Sequence, residues 1–168
     1  MDTNNSGLTL NCINRAVFAA LPEIEERTRN VFGSDYDLQK GTPEETPGVY
    51  LILEDVVMKL VVDLLVIAED EKLISRLFAF FEEMAKSTDP DVSRDLLGIA
   101  ILEPLVCEKD CLRAAWRFMG PKMRELAVVE AHTQGRQENL PNSTVSHFTG
   151  LANQELTTYS VTVLRLRR

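Results

Sequence analysis

The sequence predicts an all-α protein: an antiparallel helical bundle or short α-solenoid of about five or six helices, ending in an irregular C-terminal tail. Three observations carry this expectation. Apolar residues recur at intervals of three and four from Leu10 to Val129. Glycine and proline mostly fall between those runs rather than within them. After Glu130 the composition turns to Thr, Gln, Asn, Ser and Gly and the periodicity stops. With 168 residues the chain has room for one ordinary core, so the expected division is a helical domain over 1–131 and a polar tail over 132–168.

Leu10, Ile13, Val17, Ala20 and Leu21 mark the first amphipathic helix. Pro22 kinks it or starts a second piece, in which Ile24, Thr28, Val31 and Phe32 keep the spacing until Gly33 closes it. Ser34 to Gly48, with Gly41, Pro43, Pro47 and Gly48, reads as a loop. From Val49 to Ala68 the chain is densely apolar, and its charges Glu54, Asp55, Lys59 and Asp63 share one side of a helix. The run is too long for one strand despite its valines, and it reads as the most buried helix.

Glu69, Asp70 and Glu71 put acid at the start of the next helix, where the dipole favours it, and Leu73, Leu77, Phe80, Phe81 and Met84 form its stripe as far as Lys86. Asp89 is an N-cap with Pro90 at the first helical position; Val92, Leu96, Leu97, Ile99, Ala100 and Leu102 supply the inner face, and Pro104 bends or ends this helix near Glu103. A helix from Asp110 carries Leu112, Ala115, Trp116 and Met119 inward and is closed by Gly120-Pro121. The last one presents Met123, Leu126, Ala127 and Val129. In the tail, Leu156 to Leu166 favours β-structure, but a lone strand is unstable without a partner.

Composition narrows the function classes. No stretch reaches the roughly 20 apolar residues that span a bilayer. Met1 to Asn5 has neither the basic start nor the apolar block of a secretory signal, so a cytoplasmic protein is expected. Three cysteines without a signal read as free thiols; Cys107 and Cys111 share a helix face, but neither their spacing nor the distant His132 and His147 fits a zinc site. The carboxylates Glu54, Asp55, Asp63, Glu82, Glu83 and Glu103 lack the Glu-x-x-His pairs of di-iron bundles and read as a solvated acidic face. There is no Gly-x-Ser-x-Gly elbow and no glycine-rich phosphate loop. No catalytic group, cofactor or metal is therefore expected.

Charge is more informative. From His132 onward four arginines outnumber two glutamates, so with −8 overall the first 131 residues carry −10. Such a body repels phosphate backbones and anionic membranes, which makes a basic protein the expected partner rather than nucleic acid or a bilayer. The expected contact surface is Glu69, Asp70, Glu71, Glu82, Glu83, Asp89, Asp91 and Asp95, whose summed field would steer that partner; solubility is the competing explanation. The aromatics Phe78, Phe80, Phe81, Trp116 and Phe118 read mostly as core. Phe78 and Phe80 are two apart, as are Trp116 and Phe118, so at least one of each pair is expected to point away from the main stripe, into further core or, as the alternative, toward a partner.

The block from Leu73 to Arg124 resembles small helical bacterial proteins: uncharacterised helical domains and the immunity proteins of polymorphic toxin and contact-dependent inhibition systems. The segments that carry the resemblance are Leu77-Phe78-Ala79-Phe80-Phe81-Glu82-Glu83-Met84, Asp89-Pro90-Asp91-Val92, Ile101-Leu102-Glu103-Pro104-Leu105 and Phe118-Met119-Gly120-Pro121-Lys122-Met123-Arg124. The resemblance implies a cytoplasmic acidic protein that occludes a cognate toxin, often a basic nuclease, without performing chemistry. It assigns no individual site residue, and the long polar tail departs from its pattern. The alternative is a helical scaffold or regulatory module that takes a peptide or subunit in an apolar groove.

Overall fold

A computed structural model describes residues 7–33, 48–67 and 70–141. The described residues form an all-α bundle of seven helical rods, with no strand among them. The predicted loop before Gly48, the predicted β-prone stretch at 156–166 and Glu69 lie outside the described residues.

Helix α1 (Ile13–Ala20) and α2 (Ile24–Phe32) are separate pieces, as Pro22 allows. Gly33 ends α2 with φ 104°, a backbone that costs a residue without Cβ little, while its amide bonds the Arg29 carbonyl at 2.8 Å. The third rod starts as α3 (Val49–Ile52), widens into a π-helical segment (Leu53–Met58) and continues as α4 (Lys59–Ile67). Its charges do lie on one side, where Lys59 pairs with Asp55 at 3.0 Å and Asp63 with Arg27 at 3.6 Å.

Helix α5 (Glu71–Ala85) buries a larger share of its residues than the 49–67 rod, which the sequence marks as the most buried. It touches α1, α4, α8 (Pro121–Thr133) and the π-helical segment Asp91–Leu96. The 49–67 rod meanwhile leaves Leu51, Val66 and Ile67 exposed. Phe78 and Phe80 are both buried, so the member off the main stripe fills core rather than meeting a partner. Phe78 meets Phe81 edge-on, with centroids 5.6 Å apart, and stacks on Phe118 at 5.9 Å. Trp116 and Phe118 are half-buried against the core; Arg117 lies over Phe118, and Arg124 lies over Trp116 and bonds its carbonyl.

The fifth rod is π-helical at Asp91–Leu96 and Gly98–Leu102 and then becomes α6 (Glu103–Cys107). Pro104 therefore does not end the helix. The preceding i→i+5 turns already depart from the α-helical ladder in which a proline would remove a bond and clash. The widened turns also change which residues point inward: Ile99, expected on the inner face, is 50% exposed. Helix α7 (Lys109–Trp116) leads to α8, whose first residue is Pro121.

The expected boundary at 131 falls inside α8. Beyond that helix, Gln137–Asn139 makes one 3-10 turn, Asn139 donates to the Val106 carbonyl at 2.8 Å, and Leu140 is buried. The packed body thus reaches at least Leu140, because a polar side chain closes it rather than the apolar period by which the tail was delimited.

Cys12 is exposed, Cys111 partly covered. Hydrogen bonds from the Thr9 hydroxyl and amide hold the Cys12 thiol below its usual range, whereas burial, then Glu108 and Asp110, push that of Cys111 up. An alkylating reagent at neutral pH is therefore expected to modify Cys12 several-fold faster than Cys111, read by peptide mass spectrometry. Equal rates would mean that the Thr9 bonds do not stabilise the thiolate.

Candidate functional site

Acidic residues that adjoin in sequence are parted by the fold. Asp70 caps α5, its carboxylate accepting from the Leu73 amide at 2.9 Å, and Glu71 pairs with Arg117 at 3.2 Å. At the other end of α5, Glu83 is exposed and holds Lys86 at 3.1 Å. Twelve helical residues put Glu71 and Glu83 about 18 Å apart along the axis, so the expected single surface is two patches.

Glu82 and Asp89, like Asp70, have structural duties. Glu82 is buried, only 7% exposed, and its carboxylate accepts from the backbone amides of Lys122 at 3.1 Å and Met123 at 2.9 Å. It caps the start of α8, where Gly120 has no side chain to do so, and it offers no surface to a partner. Asp89 is divided between the Asp91 amide and the Leu10 amide, both at 3.0 Å, so it caps its own helix as expected and also ties down the chain before α1. Asp95 is partly buried and bonded to Arg94 at 3.1 Å. Asp91 is exposed.

The residues that do converge belong to a groove that sequence reasoning missed. One side is the 93–103 stretch, with Gly98, Ile99 and Leu102; the other is α8, with Leu126 and Val129. Its volume is about 310 Å³, within the range of ligand-binding clefts. Tyr50, Asp95, Glu103 and Glu130 stand around it, with Arg94 as the basic member. Burial pushes the Tyr50 hydroxyl above its usual range, and the charges of Asp95, Asp91 and Glu54 push it further. Beyond Arg94 a second depression of about 360 Å³ carries Lys86 and Lys122, giving the groove a basic end.

A separate cavity of about 270 Å³ lies between α4, α5 and α7, lined by Leu64, Leu65, Ile74 and Phe118 with Glu71 and Arg117 at its edge. Among the described residues no group of three or more His, Cys, Asp or Glu side chains is placed to hold a metal ion, and no helix is long and apolar enough to cross a membrane.

No curated protein and no solved structure matches this chain. One family model does, over residues 15–134, which takes in α1 through α8 and thus both walls of the groove. The chain belongs to that family, which is described as Domain of unknown function (DUF7674).

Proposed function

We propose that this protein acts without catalysis by binding a basic protein, and that the partner is a toxin which it neutralises by covering it. The observation that carries the binding reading is an apolar groove with Asp95, Glu103 and Glu130 in its lining, on a chain of net charge −8. Such a field speeds encounter with a cationic surface, and the apolar area then supplies affinity that salt does not screen. The toxin assignment rests on the resemblance of the Leu73 to Arg124 segments to immunity proteins. The contact set in this reading is Glu83, Asp91 and Asp95, with Glu54 and Glu103; Glu82, Asp70 and Asp89 serve the fold.

The test is affinity capture with the full chain as bait in its native host, at low and high salt, compared with a Glu83→Lys/Asp91→Lys variant. A secreted-type protein with a basic C-terminal domain should be held at low salt. Its recovery should fall about ten-fold at high ionic strength and in the variant, as for a screened charge contact. Co-expression with that basic domain should restore growth. Recovery indifferent to salt and to charge reversal would overturn the acidic contact; captured protein that is harmless to cells would overturn the toxin. The groove itself favours a second reading, a helical module that holds a segment of another subunit, in which exposed Ile99 rather than the acids carries the affinity.

A further inference from the structure

Ile99 is half exposed although Gly98, Ala100, Ile101 and Leu102 around it are buried. A large aliphatic side chain held on the surface of an otherwise buried segment forgoes burial worth roughly 1–2 kcal/mol, unless something covers it. Gly98 beside it leaves open space, since an added Cβ would meet nothing within 4 Å. Across the groove, Leu126 and Val129 complete the apolar strip. The wall from Asp95 to Glu103 is about 12 Å long, or two turns of helix. Asp95 and Glu103 stand at its two ends; Arg94 and the depression of Lys86 and Lys122 lie beyond Asp95, so the Glu103 end is the acidic one.

We propose that this groove takes a basic amphipathic helix of a partner protein. Apolar side chains at i, i+3 and i+4 of that helix lie on Ile99, Leu102, Leu126 and Val129, and its lysines or arginines reach Glu103 at the end of the groove away from Arg94. Charge complementarity selects this occupant: an acidic or neutral helix would fit the strip equally well but would leave Glu103 unmatched, Asp95 being already held by Arg94. The assignment rests on the protein-binding reading above but needs no toxin.

The probe is a synthetic helix of about 14 residues, leucine at that spacing and lysine elsewhere, titrated against the full chain by fluorescence anisotropy and by amide chemical shifts. Its comparators are a scrambled peptide of equal composition and one with glutamate in place of lysine. The amides of Gly98, Ile99 and Val129 should shift. Ile99→Asp should weaken binding by about ten-fold or more without moving the unfolding midpoint, because the side chain is already half in water. Glu103→Lys should weaken it less, and the glutamate peptide should not bind.

Equal affinity for the scrambled peptide or for the Ile99→Asp chain would reduce the effect to attraction between opposite net charges and overturn the proposal, as would shifts confined elsewhere. Two other occupants have distinct signatures, and either would also overturn it. If the chain's own arginines at Arg165, Arg167 and Arg168 filled the groove, reversing them to glutamate would strengthen peptide binding. If a second copy filled it, Ile99→Asp would abolish a concentration-dependent dimer seen in sedimentation. Peptide binding that succeeds while toxin capture fails removes the toxin and leaves the groove.

Discussion

Glu82→Ala is expected to lower unfolding stability by about 3 kcal/mol, measured by urea denaturation, the loss of two charge-assisted hydrogen bonds at a buried helix start. The carboxylate is almost wholly covered and receives the amides of Lys122 and Met123. These are among the first amides of α8, which have no partner within the helix, and the fragment of positive dipole there favours an anion. Alanine leaves both donors unanswered in a space too well packed for bulk water. Glu82→Gln retains an oxygen for one amide and should lose less. From the other side of the contact, Gly120→Ala places a Cβ 2.3 Å from the Glu82 Cδ, so it must push the carboxylate off its donors and should destabilise as well. Gly120 is needed for that space, its backbone being ordinary extended chain. An alanine variant within about 0.5 kcal/mol of the native chain would mean that water caps α8 instead.

Phe78→Ala should cost about 3–5 kcal/mol, the ordinary penalty for emptying an aromatic site that cannot collapse. The ring is fully buried and touches Phe81 and Phe118, so its removal opens a void between α5 and the turn after α7. The half-exposed Ile99 is the contrast: Ile99→Ala should change stability by less than about 0.5 kcal/mol. If Phe78→Ala unfolded like the native chain, the neighbouring helices would have to close over the missing ring. Binding assays on Phe78 variants therefore report folding first, whereas those on Ile99 report the groove.

The features legible from the sequence share one property: their cause lies within a few residues. Asp70 meets the Leu73 amide, Asp89 meets that of Asp91, Gly33 ends α2 through the Arg29 carbonyl, and Asp55 pairs with Lys59 at i, i+4. Helix starts, stops and the all-α class follow from such local bonds and from the period of the apolar residues. The misread features depend on distant partners or on a changed period. Glu82 and Glu83 look alike in the chain, yet one caps a helix about 40 residues later and the other is in water. Ile99 turns outward because the i→i+5 turns abandon the 3.6-residue count.

By itself, then, the sequence determined a helical protein, its element starts and stops, and an acidic balance suited to a basic partner, because capping, periodicity and net charge are properties of neighbouring residues or of simple sums. Which acids face water, which aromatics fill the core, and the groove of Tyr50, Ile99, Leu102, Leu126 and Val129 with its carboxylate rim were decided by the tertiary structure, because burial and field depend on what packing brings near each side chain.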